Sequence, residues 1–216
     1  MFRRLRGSAA ELHGRPIEWS ARSVSLCLVE RPALVLGSTQ SPDTVTAPSA
    51  ALEVVRRRSG GGAVLVEPGR LAWVEVVVPA GDPLWHHDVG RASWWLGDAW
   101  AQVVAELGSG GAVAVHRGAM VSSLWSARVC FAGLGPGEVT VEGRKVVGIS
   151  QRRTRAGALF QCAVPLAFDA GAMAERVRLV PADRAGLAAY LQDTVAVVPA
   201  TEDAVADGLV RALKNL

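Results

Sequence analysis

The chain has 216 residues, room for one domain or for one domain with a small appendage. Half of it is hydrophobic (50%) and 20% is charged, which excludes a disordered chain and supplies a sizeable core. The net charge of +3 comes from arginines spread along the chain, so it is not read as a nucleic-acid surface, and no apolar run approaches the about 18 residues of a membrane span.

The start, Met1 to Arg6, is basic but no apolar segment follows it, so no secretory signal is expected. Residues 23–29 and 33–38 read as short buried strands. Residues 41–50 read as a loop with one helical turn. A strand from Val54 to Arg57 leads into Ser59-Gly60-Gly61-Gly62. Residues 63–66 and 71–78 are two more strands about a turn at Pro68-Gly69, the second rich in β-branched Val74, Val76, Val77 and Val78. After a loop from Asp82 to Asp88, a helix is predicted from Val89 to Leu107. Its stripe is Val89, Ala92, Leu96, Trp100, Val103, Val104 and Leu107, with Asp88 as N-cap and Gly108 as stop. A glycine-rich turn at 108–111 precedes strands at 112–116, 138–142, 145–150 and 157–164. The end turns helical, over 169–178, 183–192 and 201–215, the last with Val205, Leu209 and Leu213 in register. This order does not alternate strand and helix. It predicts an α+β fold with a mixed, largely antiparallel sheet and flanking helices, read as a single domain over 1–216.

Two segments carry chemistry. The first is Arg56-Arg57-Arg58-Ser59-Gly60-Gly61-Gly62-Ala63-Val64. Three glycines after a strand leave backbone N–H groups open to a ligand, and paired arginines hold phosphate or carboxylate oxygens. A triple glycine alone serves as well for a flexible turn, and no Gly-Lys-Ser/Thr closes it as a P-loop. The second is Gly143-Arg144-Lys145-Val146-Val147-Gly148-Ile149-Ser150-Gln151-Arg152-Arg153. Lys145 and Lys214 are the two lysines beside 21 arginines. Lysine and arginine differ in shape, hydration and the ability to lose a proton, which singles out Lys145.

Together, with Lys145 placed 85 residues after Gly60, the segments resemble the lipoate–protein ligase family, which includes biotin-attaching relatives. That family carries Arg-Arg-x-Ser-Gly-Gly-Gly-Ala-Val and later Gly-(Arg/Lys)-Lys-(Val/Ile)-x-Gly-x-x-Gln. Arg56, Arg57, Ser59, Gly60, Gly61, Gly62, Ala63 and Val64 match the first pattern; Gly143, Arg144, Lys145, Val146, Gly148 and Gln151 match the second. Pro32 to Gln40 resembles the strand ahead of the first motif. The resemblance implies a catalytic domain related to class II aminoacyl-tRNA synthetases. It implies activation of lipoate or octanoate by ATP and Mg2+ to an acyl-AMP, with no tightly bound metal. The acyl group then passes to a lysine on the lipoyl-carrier domain of a 2-oxoacid dehydrogenase or glycine cleavage protein, in the cytoplasm. Lys145 is the implied catalytic residue, stabilising charge at the acyl carbonyl and phosphate. Arg56 or Arg57 would lie near phosphates, Gly60 to Gly62 would admit the backbone to the ligand, and Val64 and Val147 would line an acyl tunnel. Ser59, Ala63, Gly148, Ser150 and Gln151 complete the implied substrate site.

The sequence departs from the family pattern in three places. Leu65-Val66-Glu67 stands where many members have an aromatic-His-Asp segment. Gly137-Glu138 replaces Asn-Asp, leaving Glu138 as the candidate Mg2+ carboxylate. Gln161-Cys162 replaces His-Gly. A full accessory C-terminal domain is not expected. The departures leave three readings open: a divergent ligase, an acyltransferase that takes a pre-activated donor, and a non-catalytic binding protein. For the transferase, Cys130 and Cys162 are candidate acyl-carrying thiols, with buried structural thiols as the alternative. Three cysteines without metal-like spacing suit a reduced compartment. His86-His87-Asp88 reads as loop and helix cap rather than as a metal cluster. Trp100 is expected in the core, and Arg152, Arg153 and Arg155 read equally as contacts to an acidic carrier or as a solvated strand end.

Overall fold

The structure is a computed structural model that describes residues 1–46, 52–108 and 110–214. A seven-stranded sheet runs in the order β1-β2-β6-β10-β9-β8-β7. Its strands are β1 (Phe2–Gly7), β2 (Ser23–Val29), β6 (Leu71–Pro79), β7 (Val113–Val115), β8 (Val139–Val141), β9 (Arg144–Thr154) and β10 (Gly157–Pro165). Only β1 and β2 pair in parallel; the other neighbours are antiparallel. A second sheet, β4-β3-β5, holds β3 (Ala33–Leu36) between a parallel β4 (Glu53–Arg56) and an antiparallel β5 (Val64–Val66). The mixed, largely antiparallel α+β architecture predicted from the sequence is the one found.

The large sheet is covered on both faces. On one, α2 (Trp94–Glu106) and α5 (Glu202–Leu213) bring Leu96, Trp100, Val103, Val205 and Leu209 against Val74, Val76, Val78 and Phe160. On the other, the small sheet, with α3 (Ala170–Glu175) and α4 (Pro181–Thr194), packs Leu34, Leu36, Val64, Met173, Leu187 and Leu191 against Cys27, Leu71 and Trp73. Strand alternation explains this division, because Trp73 and Val74 point to opposite sides of β6. Such burial contributes roughly 1.5–3 kcal/mol per large apolar side chain. The pocket described below opens between the small sheet and the β9–β10 face.

Three local differences from the sequence reading have physical causes. The strand β1 went unpredicted because its alternation is carried by arginines, and α1 (Ala9–Gly14) because it is short. The capping box at α1 was nevertheless written in the sequence: Ser8 Oγ accepts from Glu11 N–H, and Ser8 N–H donates to Glu11 Oε2 at 2.8 Å. Helix α2 begins at Trp94, not Val89. Asp88 accepts from Gly90 N–H at 2.8 Å within a series of turns, and Val89 is 62% exposed. Ser93 takes the N-cap position but sends its hydroxyl to Pro136 O at 2.8 Å. Parts of the predicted 41–50 loop, the 108–111 turn and the last predicted helix lie outside the described residues; within them, Pro42–Thr44 forms a 3-10 turn and Gly108 ends α2 with φ +77°.

Candidate functional site

The arginine–glycine segment follows β4 at the edge of the small sheet. Arg56 is exposed, whereas Arg57 turns inward and is buried. The Arg57 guanidinium donates to Gly60 O at 2.6 Å, Gly62 O at 2.9 Å and Val35 O at 3.3 Å. Burial holds its pKa below the usual value. Arg57 thus gathers the carbonyls of the glycine loop, a positioning role that differs from the expected contact with phosphates. The N–H groups of Gly60, Gly61 and Gly62 donate to no described residue, so they are free for an anion or carbonyl. Gly61 adopts φ +96°. Gly62 is required by close approach, since a Cβ there would lie 2.5 Å from the Val129 backbone. Ala63 continues this contact, with Cys130 N–H donating to Ala63 O at 3.0 Å. The glycine loop and the Val129–Cys130 backbone therefore form one wall.

The lysine segment enters from the other side. The turn at Glu142 (φ 49°) and Gly143 (φ 75°) reverses the chain from β8 into β9 and delivers Lys145 to the interior, 4% exposed. Its Nζ donates to Gly133 O at 2.9 Å and Cys130 O at 3.0 Å, and pairs with Glu138 Oε2 at 2.6 Å. Three donors thus meet three acceptors. Burial opposes the charge, yet the Glu138 carboxylate, with Cys130 adding to it, holds the ammonium pKa above its usual value against Arg57. Gly148 is the window from this pair into the pocket: a Cβ at Gly148 would sit 3.4 Å from Lys145 Cε and 3.7 Å from Nζ. Arg144 anchors the same strand, donating to Gln192 O at 3.2 Å and to Val195 O at the end of α4.

Between these walls lies a pocket that opens to solvent. Val35, Val64, Val66 and Leu71 give it an apolar side, Gly148 and Cys130 line it near Lys145, and His13, Ser150 and Gln161 make it polar elsewhere. The polar groups are one chain of hydrogen bonds. Ser59 and Ser150 hydroxyls lie 3.0 Å apart, and Ser59 donates to Gln161 Oε1 at 2.9 Å. Gln161 Nε2 donates to Glu75 Oε1 at 2.7 Å and lies 3.2 Å from His13 Nδ1. Arg15 forms an ion pair with Glu75, which is 1% exposed. His13 stacks on Trp73 with centroids 4.3 Å apart. Its pKa is lowered to about 4 by burial, with Arg57 and Arg15 adding repulsion.

The glycine loop and the buried lysine thus stand on two sides of one pocket. Residues 12–184 match the lipoyl protein ligase A/B catalytic domain. The chain belongs to that family. It is an enzyme of the ligase and transferase class, lipoate-ligase-like in its relationships. Its fold is similar to that of a bi-partite lipoate protein ligase from Thermoplasma acidophilum, solved in a study of that ligase and its E2 lipoyl domain. The TM-score is 0.75 at 14% identity, over 99% of this chain and 82% of that one. A lipoate-protein ligase A bound with ATP gives 0.72 at 15% identity, over 99% and 83%. The T. acidophilum protein Ta0514 with bound lipoic acid gives 0.68 at 14% identity, over 95% and 77%. At these identities the likeness establishes the fold. A comparison of the sequence with curated proteins finds no match.

Within this lipoyl ligase fold, several expected site residues are placed differently. Val147 packs into the α2–α5 core rather than the pocket. Gln151, one strand position beyond Ser150, faces away from the pocket, its Nε2 buried without a hydrogen bond. Both corrections follow from the two-residue period of β9: Gly148 and Ser150 face the pocket, so Val147 and Gln151 cannot. Glu138 does not fit a magnesium site. Its Oε1 accepts from Ile149 N–H at 2.9 Å, and its Oε2 accepts from Gly135 N–H at 2.6 Å beside the Lys145 ammonium. Both Cys130 and Cys162 border the pocket, but Cys162 is fully buried and burial pushes its thiol up to about 12, whereas Cys130 is half-buried. Among the described residues no group of three or more His, Cys, Asp and Glu is placed to hold a metal ion; His86 Nδ1 accepts from Asp88 N–H at 3.0 Å. Arg153 stacks over Trp85 at 4.1 Å and donates to His86 O at 2.7 Å, so it is committed within the fold. Trp100 is in the core, as expected.

Sequence reasoning missed Arg15, His13 and Glu75. A signal for Glu75 existed: one carboxylate amid Val74, Val76, Val77 and Val78 in a strand buried on both faces must have a partner. No described helix is long and apolar enough to cross a membrane.

Proposed function

We propose that the chain activates lipoate or octanoate with ATP as an acyl-AMP and transfers the acyl group to a lysine of a lipoyl-carrier domain. The observation that carries this reading is the buried Lys145 ammonium facing an apolar pocket through the Gly148 window. The acyl chain lies along Val35, Val64, Val66 and Leu71 with its carboxyl end at Gly148. The free N–H groups of Gly60 to Gly62 meet phosphate oxygens. In activation, a carboxylate oxygen attacks the α-phosphorus and pyrophosphate leaves. In transfer, the carrier amine attacks the acyl carbonyl, AMP leaves, and the amine loses a proton. Lys145 stabilises the negative charge that develops on the carbonyl and phosphate oxygens. To donate there it gives up Cys130 O or Gly133 O while keeping Glu138. Since Glu138 does not fit magnesium, no step is assigned to that ion.

The related structures support this reading through their own ligands: one relative was solved with ATP, another with lipoic acid, and a third was studied with its E2 lipoyl domain. The test is mass spectrometry of an apo lipoyl domain incubated with the protein, ATP, magnesium and lipoate. A lipoyl mass shift with wild type that Lys145→Ala abolishes supports the ligase. No shift from free lipoate, with or without preformed lipoyl-AMP, refutes it.

A second reading is favoured by the position of Cys130. Its thiol attacks a pre-activated acyl thioester, the donor thiol leaves, and the carrier amine then displaces Cys130 from the enzyme-bound thioester. Acyl transfer from an acyl-carrier donor, with a Cys130 adduct in the intact-protein mass, selects this reading over the first. Binding without turnover of either donor selects a non-catalytic role.

A further inference from the structure

Beyond Gln161 and His13 lies a separate, shallow hollow open to solvent. Three arginines converge on it from three parts of the chain: Arg15 after α1, Arg58 before the glycine loop, and Arg152 on β9. Glu75 is the one acid in its lining, and it is committed to Arg15 and Gln161. Arg58 and Arg152 make no ion pair or hydrogen bond with any described residue, and Arg58 is exposed. The hollow therefore carries an excess of two positive charges on guanidinium groups that no side chain answers.

We propose that the Arg15–Arg58–Arg152 hollow is a second ligand site of this chain, one that binds a phosphoryl oxyanion. Guanidinium groups match phosphate oxygens in pairs, and two uncompensated charges suit a dianion better than a single carboxylate. The site is distinct from the reaction centre. Arg152 stands four residues beyond Gly148 on β9, roughly 13 Å along the backbone at about 3.3 Å per residue, and the hollow shares only His13 and Gln161 with the lining of the acyl pocket. Gln161 and His13 line both cavities and form the partition between them. Occupancy is consequently felt in the acyl pocket: an anion beside Arg15 offsets the positive field that, with burial, keeps His13 unprotonated.

The ligand is a free phosphate or pyrophosphate, or a phosphate monoester carried on a larger molecule; both share the chemistry that the arginines recognise. The test titrates the full chain with inorganic phosphate, pyrophosphate and an alkyl phosphate monoester, at constant ionic strength. It is followed by calorimetry and by the His13 ring resonances. Wild type is expected to bind saturably and to shift His13. The Arg58→Gln/Arg152→Gln double variant should bind at least about tenfold more weakly, the loss expected on removing charge-assisted hydrogen bonds, while Arg155→Gln, away from the hollow, binds as wild type. Binding of the inorganic anions marks a free ligand, and binding of the monoester alone marks a carried phosphate. Equal binding by wild type and the double variant, or no saturation and no His13 shift with any of the three probes, overturns the proposal. Both variants change surface or half-buried arginines, and an unchanged Tm confirms that a loss of binding is not a loss of fold.

Discussion

Lys145 Nζ lies 2.6 Å from Glu138 Oε2, and both residues are buried at 4% exposure. The other two ammonium donors are taken by the carbonyls of Cys130 and Gly133. A buried ammonium without its carboxylate would be driven towards neutrality by desolvation. Glu138 is therefore what keeps a cation at this end of the pocket.

Replacing Glu138 by Gln leaves the shape and removes the charge. In wild type the Lys145 pKa is raised on folding, so the pair's stability is fully present below the unfolded lysine value of about 10.4 and is lost as the pH rises through the folded value. In Glu138→Gln burial loses its main opponent, and the lysine pKa is expected to fall below its unfolded value. The variant's stability then rises with pH over the alkaline range where wild type holds steady, and its transfer rate declines with pH as Lys145 loses its proton. Urea melts and rates between pH 7 and 10 check both slopes; parallel profiles for the two proteins would remove Glu138 from this role. Lys145→Ala, which leaves Glu138 buried without its cation, should cost about 3–5 kcal/mol and lower Tm by roughly 10 °C.

The cysteines should differ sharply in reactivity. Alkylation of the native protein at pH 8 is expected to modify Cys130, half-buried in the pocket wall, before Cys162, whose thiol is pushed up to about 12, or Cys27, raised well above its usual value by burial and Glu75. Peptide mapping after a short exposure reads the order. Bound lipoate should protect Cys130; equal labelling of all three would contradict the pocket geometry.

His13 should give the protein an acid-side dependence. Its folded pKa of about 4 lies below the unfolded value of about 6.5. Its contribution is thus present above pH 6.5 and is lost as the pH falls towards 4, by up to about 3 kcal/mol. His13→Phe retains a ring against Trp73 and does not titrate. Its chemical-melt stability should vary less over this window than that of wild type, and an unchanged slope would assign the acid sensitivity elsewhere.

Two of the loop glycines, Gly60 and Gly62, should separate by mutation. Gly62→Ala places a Cβ 2.5 Å from the Val129 backbone and must push the Cys130 turn away, at a cost of about 1–3 kcal/mol and with loss of acyl transfer. Gly60→Ala meets nothing within 4 Å and should leave the Tm nearly unchanged. Thermal melts of the two variants test this, and equal destabilisation would mean that the wall formed with Val129 is not what requires Gly62.

Much of the fold was readable because hydrophobic periodicity is local. The strands around Val35, Val76 and Phe160 and the helices around Trp100 and Leu209 announced themselves by apolar spacing and β-branching. The strand β1 did not, because its stability comes from pairing with β2 rather than from its own residues. Helix α2 began late because the turns from Asp82 to Ser93 and the tether of Ser93 to Pro136 O override the local apolar stripe.

For the site, the sequence by itself determined which residues carry chemistry: one lysine between glycines in an arginine-rich chain, and a glycine triplet behind paired arginines. Only the tertiary structure decided what those residues do to one another. It turned Arg57 onto the loop carbonyls, gave Glu138 to Lys145 instead of to a metal, sent Val147 to the opposite face, and brought His13, Glu75 and Gln161 together across distant stretches of chain. The physical reason is that a motif fixes local chemistry and backbone freedom, whereas charge compensation and hydrogen-bond satisfaction of buried groups depend on partners that only the folded chain brings within about 3 Å.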